Sequence, residues 1–214
     1  FLGLFPFANE LYTYVSEPLR SLLPEGSSMI ATEVTSPFLT PFKLSLVLAV
    51  FVAMPVILAQ LWGFIAPGLY KSEKRIAIPL LTSSVILFYA GVAFAYYVVF
   101  PLLFGFFTTV GPGDISVMTD INRYLDFVLK LFFAFGLAFE VPVAAVILIL
   151  TGVVTADQLA NNRSYVIVGC FVMGMLLTPP DVISQTLLAL PMWLLFEVGL
   201  VMGRALSRSP NEDE

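Results

Sequence analysis

Residues 41–67 read PFKLSLVLAVFVAMPVILAQLWGFIAP, and Lys43 is the only charge in those 27 positions. A helix rises about 1.5 Å per residue, so roughly 20 apolar residues cross a hydrocarbon layer about 30 Å thick. This stretch is long enough to span a bilayer. Working outward, further apolar runs cover Ile76 to Phe107, Tyr124 to Val153, Ser164 to Leu177 and Val182 to Gly203. The opening FLGLFPFANE lacks a basic n-region and a cleavage site, so it reads as the last turns of a truncated first helix rather than a signal peptide. Six helices are expected, forming one domain over residues 1–214.

Composition agrees. The 214 residues are 59% hydrophobic and 12% charged, whereas soluble domains run at about 45–50% and about 25%. A net charge of −5 argues against a nucleic-acid partner, which calls for a basic stripe. Cys170 is the single cysteine and histidine is absent, so no internal disulfide, no cysteine metal cluster and no Ser-His or Cys-His dyad can form. Neither enzyme activity nor a cofactor or metal is expected.

Breakers mark the boundaries: Pro37 and Pro41 before the second helix, Gly111-Pro112-Gly113 after the third, Thr178-Pro179-Pro180-Asp181 between the fifth and sixth. The fifth run, about 14 residues, spans near 21 Å and is too short to cross comfortably. Its partner opens with Ser184, Gln185 and Thr186 and contains Pro191. The hairpin then either sits in thinned, wet bilayer or is tilted among its neighbours. Cytoplasmic loops carry the lysine and arginine excess. Lys71, Lys74 and Arg75, then Arg163, then Arg204 and Arg208 fall on alternate connections, while Glu10, Glu17, Glu25, Glu33, Asp114 and Asp120 lie opposite. Both termini are therefore expected in the cytoplasm.

Glu140 stands mid-helix in FGLAFEVPV, residues 135–143, where a carboxylate facing lipid costs a few kcal/mol at about 3 per group. It faces either a groove or an internal hydrogen bond. Asp126 lies fourteen residues earlier on nearly the same stripe, with Lys130 four later to neutralise it, and Pro142 should kink the helix. Glu197 and Arg204, seven apart, read as a mutual pair. On charge pattern alone Glu73, among Lys71, Lys74 and Arg75, reads as a solvated acid. Gly199 and Gly203 form a small-xxx-small pair suited to close helix approach. Asn162-Arg163-Ser164 matches a glycosylation sequon on the side where that chemistry does not occur.

The stretches SPFLTPFKL (36–44), PVILAQLWGFIAPGLYKSEKR (55–75), AFAYYVVFPLLFGF (93–106), FGLAFEVPV and GMLLTPPDVISQTLLALPMWLLFE (174–197) resemble the TatC family along nearly the whole chain. That resemblance implies an all-α, polytopic, six-helix concave bundle with short fifth and sixth helices in the bacterial cytoplasmic membrane. It implies a non-enzymatic receptor for signal peptides bearing two consecutive arginines, which joins TatA, TatB and further copies of itself to export folded proteins on the proton-motive force. Carried over by position, Glu73 and Phe64 match the arginine-pair site, Glu140 the acid of the concave face, and Met175, Thr178 and Gln185 the place where a partner helix docks. The family also has a charged HLxELRxR-like segment ahead of the first helix, and this sequence starts after it. From the residues alone, a solute transporter remains open through Glu140 and Pro142, although its usual internal repeat is not visible. An intramembrane enzyme is disfavoured by the missing histidine.

The charge asymmetry generates the first prediction. In intact cells, a cysteine placed at Ser27 is expected to react with a membrane-impermeant thiol reagent while one at Ser72 stays protected. The reverse pattern overturns the orientation.

Overall fold

The structure is a computed structural model that describes residues 1–21, 29–65, 74–110, 119–177 and 182–207. A 3-10 turn, Phe5–Phe7, leads into α1 (Ala8–Arg20), followed by α2 (Ser36–Val52), α3 (Met54–Ile65), α4 (Lys74–Phe94), α5 (Phe100–Val110), α6 (Ile121–Ala138), α7 (Val141–Leu150), α8 (Ala156–Asn161), α9 (Arg163–Leu177) and α10 (Val182–Ser207). Among the described residues, four continuous or nearly continuous segments are long and apolar enough to cross a membrane: Ser36–Gly63, Ile78–Phe106, Ile121–Leu150 and Val182–Leu206. Arg163–Leu177 is apolar but shorter, as expected of the fifth helix. The sixth is not short: α10 runs 26 residues, through Pro191 and beyond Gly203. Its proline forfeits one backbone bond without ending the helix, because neighbouring bonds and packing hold the turn.

Three long segments are interrupted, each beside a proline at the second position of the following helix. Ala53 separates α2 from α3, which begins Met54-Pro55. A wide π turn, Ala95–Val99, precedes Phe100-Pro101 of α5, and the Phe100 N–H reaches the Ala95 carbonyl. Phe139 and Glu140 separate α6 from α7, which begins Val141-Pro142. The ring of proline removes an N–H and clashes with the carbonyl four residues back, so the chain widens or turns just before it.

The contacts group the chain into two compact units, each described by itself. One comprises Phe1–Met54 and Ala93–Phe133, the other Pro55–Val92 and Ala134–Glu214. In the first unit Leu44, Phe51, Phe100, Leu103, Leu125, Val128 and Phe132 are buried. Phe51 meets Phe133 edge-on at 4.8 Å between centroids, and Phe100 meets Phe132 at 5.2 Å, distances at which ring edges and faces attract. α1 packs on this core across residues that the charge pattern assigns to the outer connection bearing Glu10 and Glu17. Ala8, Val15, Ser16 and Leu19 are its buried face; that pattern is amphipathic and too polar overall to register as a span. The Tyr124 hydroxyl ties it down by donating to the Val15 carbonyl at 2.9 Å, and the Tyr96 hydroxyl donates to the Tyr14 carbonyl at 2.8 Å.

Asp120 organises the entry to α6. Its carboxylate accepts from the N–H groups of Asn122 and Arg123 at 3.0 and 2.9 Å, as a helix N-cap does. It also accepts from the Thr32 N–H and hydroxyl at 2.9 and 2.7 Å. Ile30 bonds Thr119 and Ile121 through its backbone, so the connection before α2 is stapled to the start of α6. In the second unit α10 packs on α7 and α9, and its buried positions Ser184, Leu188, Met192, Phe196, Leu200 and Gly203 recur every three to four residues, the period that keeps one face inward.

The Arg123 N–H, the Thr32 hydroxyl and the Thr32 N–H hold the Asp120 carboxyl at about 2, below its ordinary 3.8. A depressed native pKa stabilises the fold above the unfolded value and loses that contribution as pH falls through the native one. Asp120→Ala is therefore expected to cost about 1 kcal/mol in reversible unfolding at neutral pH. The gap between variant and parent should shrink as pH falls from about 4 toward 2, and a gap that does not change with pH would contradict the assignment.

Candidate functional site

The break between α6 and α7 places Glu140 in a turn rather than inside a helix. Its N–H bonds the Leu137 carbonyl at 3.0 Å and its carbonyl accepts from Ala144 at 2.9 Å. From there the carboxylate reaches α4, whose buried positions Leu80, Ser84, Phe88 and Gly91 form one stripe. The Ser84 hydroxyl, 1% exposed, donates to Glu140 Oε2. Oε1 is shielded from solvent and accepts no hydrogen bond. A partly buried carboxyl with one oxygen held and the other shielded but without a donor is a seat for a proton. Pro142 kinks the helix here, as its ring dictates. Ser84 was not singled out from sequence; its signal is the four-residue spacing from Leu80 and to Phe88.

Close approach surrounds this locus. A Cβ on Gly136 would come within 2.6 Å of Phe88 Cε2, and one on Gly91 within 2.9 Å of the Phe135 carbonyl carbon. A Cβ on Gly199 would sit 2.6 Å from Pro142 Cα, and Gly203 lies against Ile149. The small-xxx-small pair of α10 thus serves α7 of the same chain. Trp62, Leu80, Val143 and Val146 cluster beside it.

The second locus is the α9–α10 hairpin. Gly174 packs against Gln185, its missing Cβ falling 3.3 Å from the Gln185 carbonyl oxygen. Met175, 49% exposed, and the partly buried Gln185 therefore stand on facing helices at one level. Almost all of α9 is open: of its fifteen residues only Gly174 is buried, and Tyr165, Val168 and Leu176 are more than 60% exposed. A shallow apolar cavity of about 130 Å³ lies between Cys170, Phe171, Leu190 and Trp193. At the far end of the hairpin Arg163 grips Glu197 with two contacts of 2.7 and 2.8 Å, and Arg204 meets Asp157 at 3.2 Å.

Several expected pairings differ. Glu197 pairs with Arg163, not Arg204, because two helical turns separate the latter while the start of α9 lies alongside. Asp126 pairs with Lys43 of α2 rather than with Lys130 of its own helix, since the neighbouring helix brings a cation closer than the i+4 rotamer does. Glu73 and Thr178 lie outside the described residues; Phe64 belongs to α3, with its side chain outside them. Among the described residues no group of histidine, cysteine, aspartate or glutamate could hold a metal ion.

Residues 1–191 match the family model of the Sec-independent protein translocase protein TatC. Proteins of that name from Azotobacter chroococcum and Escherichia coli K12 are 66% and 57% identical over 203 and 204 residues, 95% of this chain and 80% and 79% of theirs. A crystal structure described as the twin arginine translocase receptor TatC superposes with a TM-score of 0.84 at 40% identity, covering 96% of this chain and 90% of that one.

The Ser84–Glu140 contact generates a prediction that needs no knowledge of function. In a double-mutant cycle of Ser84→Ala and Glu140→Leu, read by thermal or denaturant unfolding in detergent, a coupling of about 1–3 kcal/mol is expected. Additive effects would mean that the contact contributes nothing.

Proposed function

The chain belongs to the TatC family, and on that premise we propose that it is the signal-peptide receptor and core membrane subunit of the twin-arginine translocase. The single observation that carries the reading is the family match, which runs over residues 1–191. Relatives of this name are translocase components rather than enzymes, and the apolar helices make the chain a multi-pass membrane protein. The finer reading is that it sits as one six-helix concave domain in the bacterial cytoplasmic membrane with both ends inside. It receives twin-arginine signal peptides of folded cargo, assembles with TatA, TatB and further copies of itself, and works on the proton-motive force without a cofactor.

Within that reading Glu73, with Phe64 nearby, recognises the arginine pair. Guanidinium groups meet carboxylates through paired, charge-assisted hydrogen bonds that lysine cannot reproduce. Glu140 supplies a polar point on the face the peptide or a partner lies against, and a carboxylate oxygen left without a donor beside Ser84 supports this role. Met175, Thr178 and Gln185 dock a partner helix. The exposure of α9, and the amide of Gln185 with donors and an acceptor to offer across helices, support that assignment.

The test is Glu73→Gln in a protein carrying the family's N-terminal segment. Loss of one charge-assisted contact, about 1.5–3 kcal/mol, should weaken binding of an arginine-arginine signal peptide about ten- to a hundred-fold. The preference over a lysine-lysine peptide should vanish with it. Unchanged binding of both peptides would place the recognition site elsewhere.

A further inference from the structure

Most charges inside the described membrane-length segments have an internal partner: Lys43 and Asp126 hold each other, Glu140 is met by Ser84, Glu197 by Arg163 and Arg204 by Asp157. Arg123 and Lys130 make no ion pair among the described residues. Lys130 lies nine residues into α6, about 13 Å from its start, in a segment of mean hydropathy 2.4. A lone ammonium at that depth is costly unless it meets water or an anion.

Three features of the first unit supply the setting for an anion. Arg123, Asp126 and Lys130 recur every three to four residues and so share one face of α6, and Lys43 of α2 joins that face through its bond to Asp126. The Lys43 and Asp126 side chains are 47% and 40% exposed, and Arg123 and Lys130 are exposed. Three cations stand against one carboxylate, leaving two positive charges in excess. On α2, Leu46 and Val50 follow Lys43 at i+3 and i+7, 48% and 36% exposed, an apolar track one and two turns deeper on the same side.

We infer that this face holds an anionic glycerophospholipid, its phosphate between Lys130 and Lys43 and an acyl chain along Leu46 and Val50. Helical side chains lean toward the helix start, so the Lys130 ammonium rises toward Asp126 and Lys43. Asp126 keeps Lys43 from swinging away, and Arg123, one turn nearer the helix start, adds charge at the headgroup level. An ammonium is a compact donor suited to phosphate. A cationic face on membrane helices, with an apolar track below it, selects a headgroup and tail together. A lipid is favoured over a soluble anion because the bilayer delivers it to this depth, whereas free phosphate would have to shed its water to enter.

The inference is independent of the receptor reading, and so is its test. The full chain is purified in a non-ionic detergent, and retention of phosphatidylglycerol or phosphatidylcholine is measured by native mass spectrometry during lipid titration. Phosphatidylglycerol should bind in preference. Lys130→Gln and Arg123→Gln should each weaken it about five-fold, Lys130→Arg should restore most of the affinity, and Arg20→Gln on α1 should change nothing. The two glutamine variants sit at exposed positions on separate turns, so misfolding of one leaves the other to decide. Equal retention of both lipids, parental affinity in either folded glutamine variant, or full displacement of the lipid by millimolar inorganic phosphate would overturn the proposal.

Discussion

A peptide group in hydrocarbon has no water to bond, so each N–H and C=O must find a partner within the protein. The rest of this structure follows from that constraint. It makes the chain helical wherever it is described apart from short connections, and it gives the prolines their influence. Pro55, Pro101 and Pro142 each withhold one N–H, and the backbone answers with a turn at Ala53, a π turn at Ala95–Val99 and a turn at Phe139 and Glu140. The last of these matters most for chemistry, because it brings a carboxylate out of the helix and onto Ser84.

Helices in lipid gain little from hydrophobicity when they associate, since the tails are as apolar as leucine. Contact must come from close packing, and here glycine provides it. Gly136 admits the ring of Phe88, Gly199 admits the backbone of Pro142, and Gly174 admits that of Gln185. The α9–α10 hairpin is close on its inner side and open on its outer side, a combination that leaves α9 available to another helix while α10 remains anchored to α7.

Charges obey a third constraint. Among the described residues of the second unit two ion pairs lie at the ends of the hairpin, Arg163 with Glu197 and Arg204 with Asp157. These pairs are partly exposed and stabilise little by themselves, about 0–1 kcal/mol each; their effect is to fix which helix ends lie together. In the first unit Asp120 does similar work with backbone donors, joining the approach to α2 with the start of α6. The cations of α6 are left over from this pairing, and their position, not their number, gives them a use.

Much of this was legible in the residues. Spans, breakers and the kink at Pro142 follow from local chemistry: apolar length against bilayer thickness, and a ring that cannot donate. The importance of Glu140 was readable for the same reason, because a carboxylate in FGLAFEVPV is expensive wherever the chain leads. The sequence did not reveal α1, whose buried face is small and whose polar face hides it from any search by hydropathy. Nor could it say that Ser84 meets Glu140, that Lys43 and not Lys130 meets Asp126, or that Gly199 and Gly203 serve α7. Those outcomes depend on which helices become neighbours and at what height, and hydrophobicity, being the same for every apolar face, carries no such information. The sequence by itself determined that this chain forms membrane helices and where they bend; only the tertiary structure decided which side chains meet, because glycine approaches and proline turns set the spacing at which a short polar group can reach its partner.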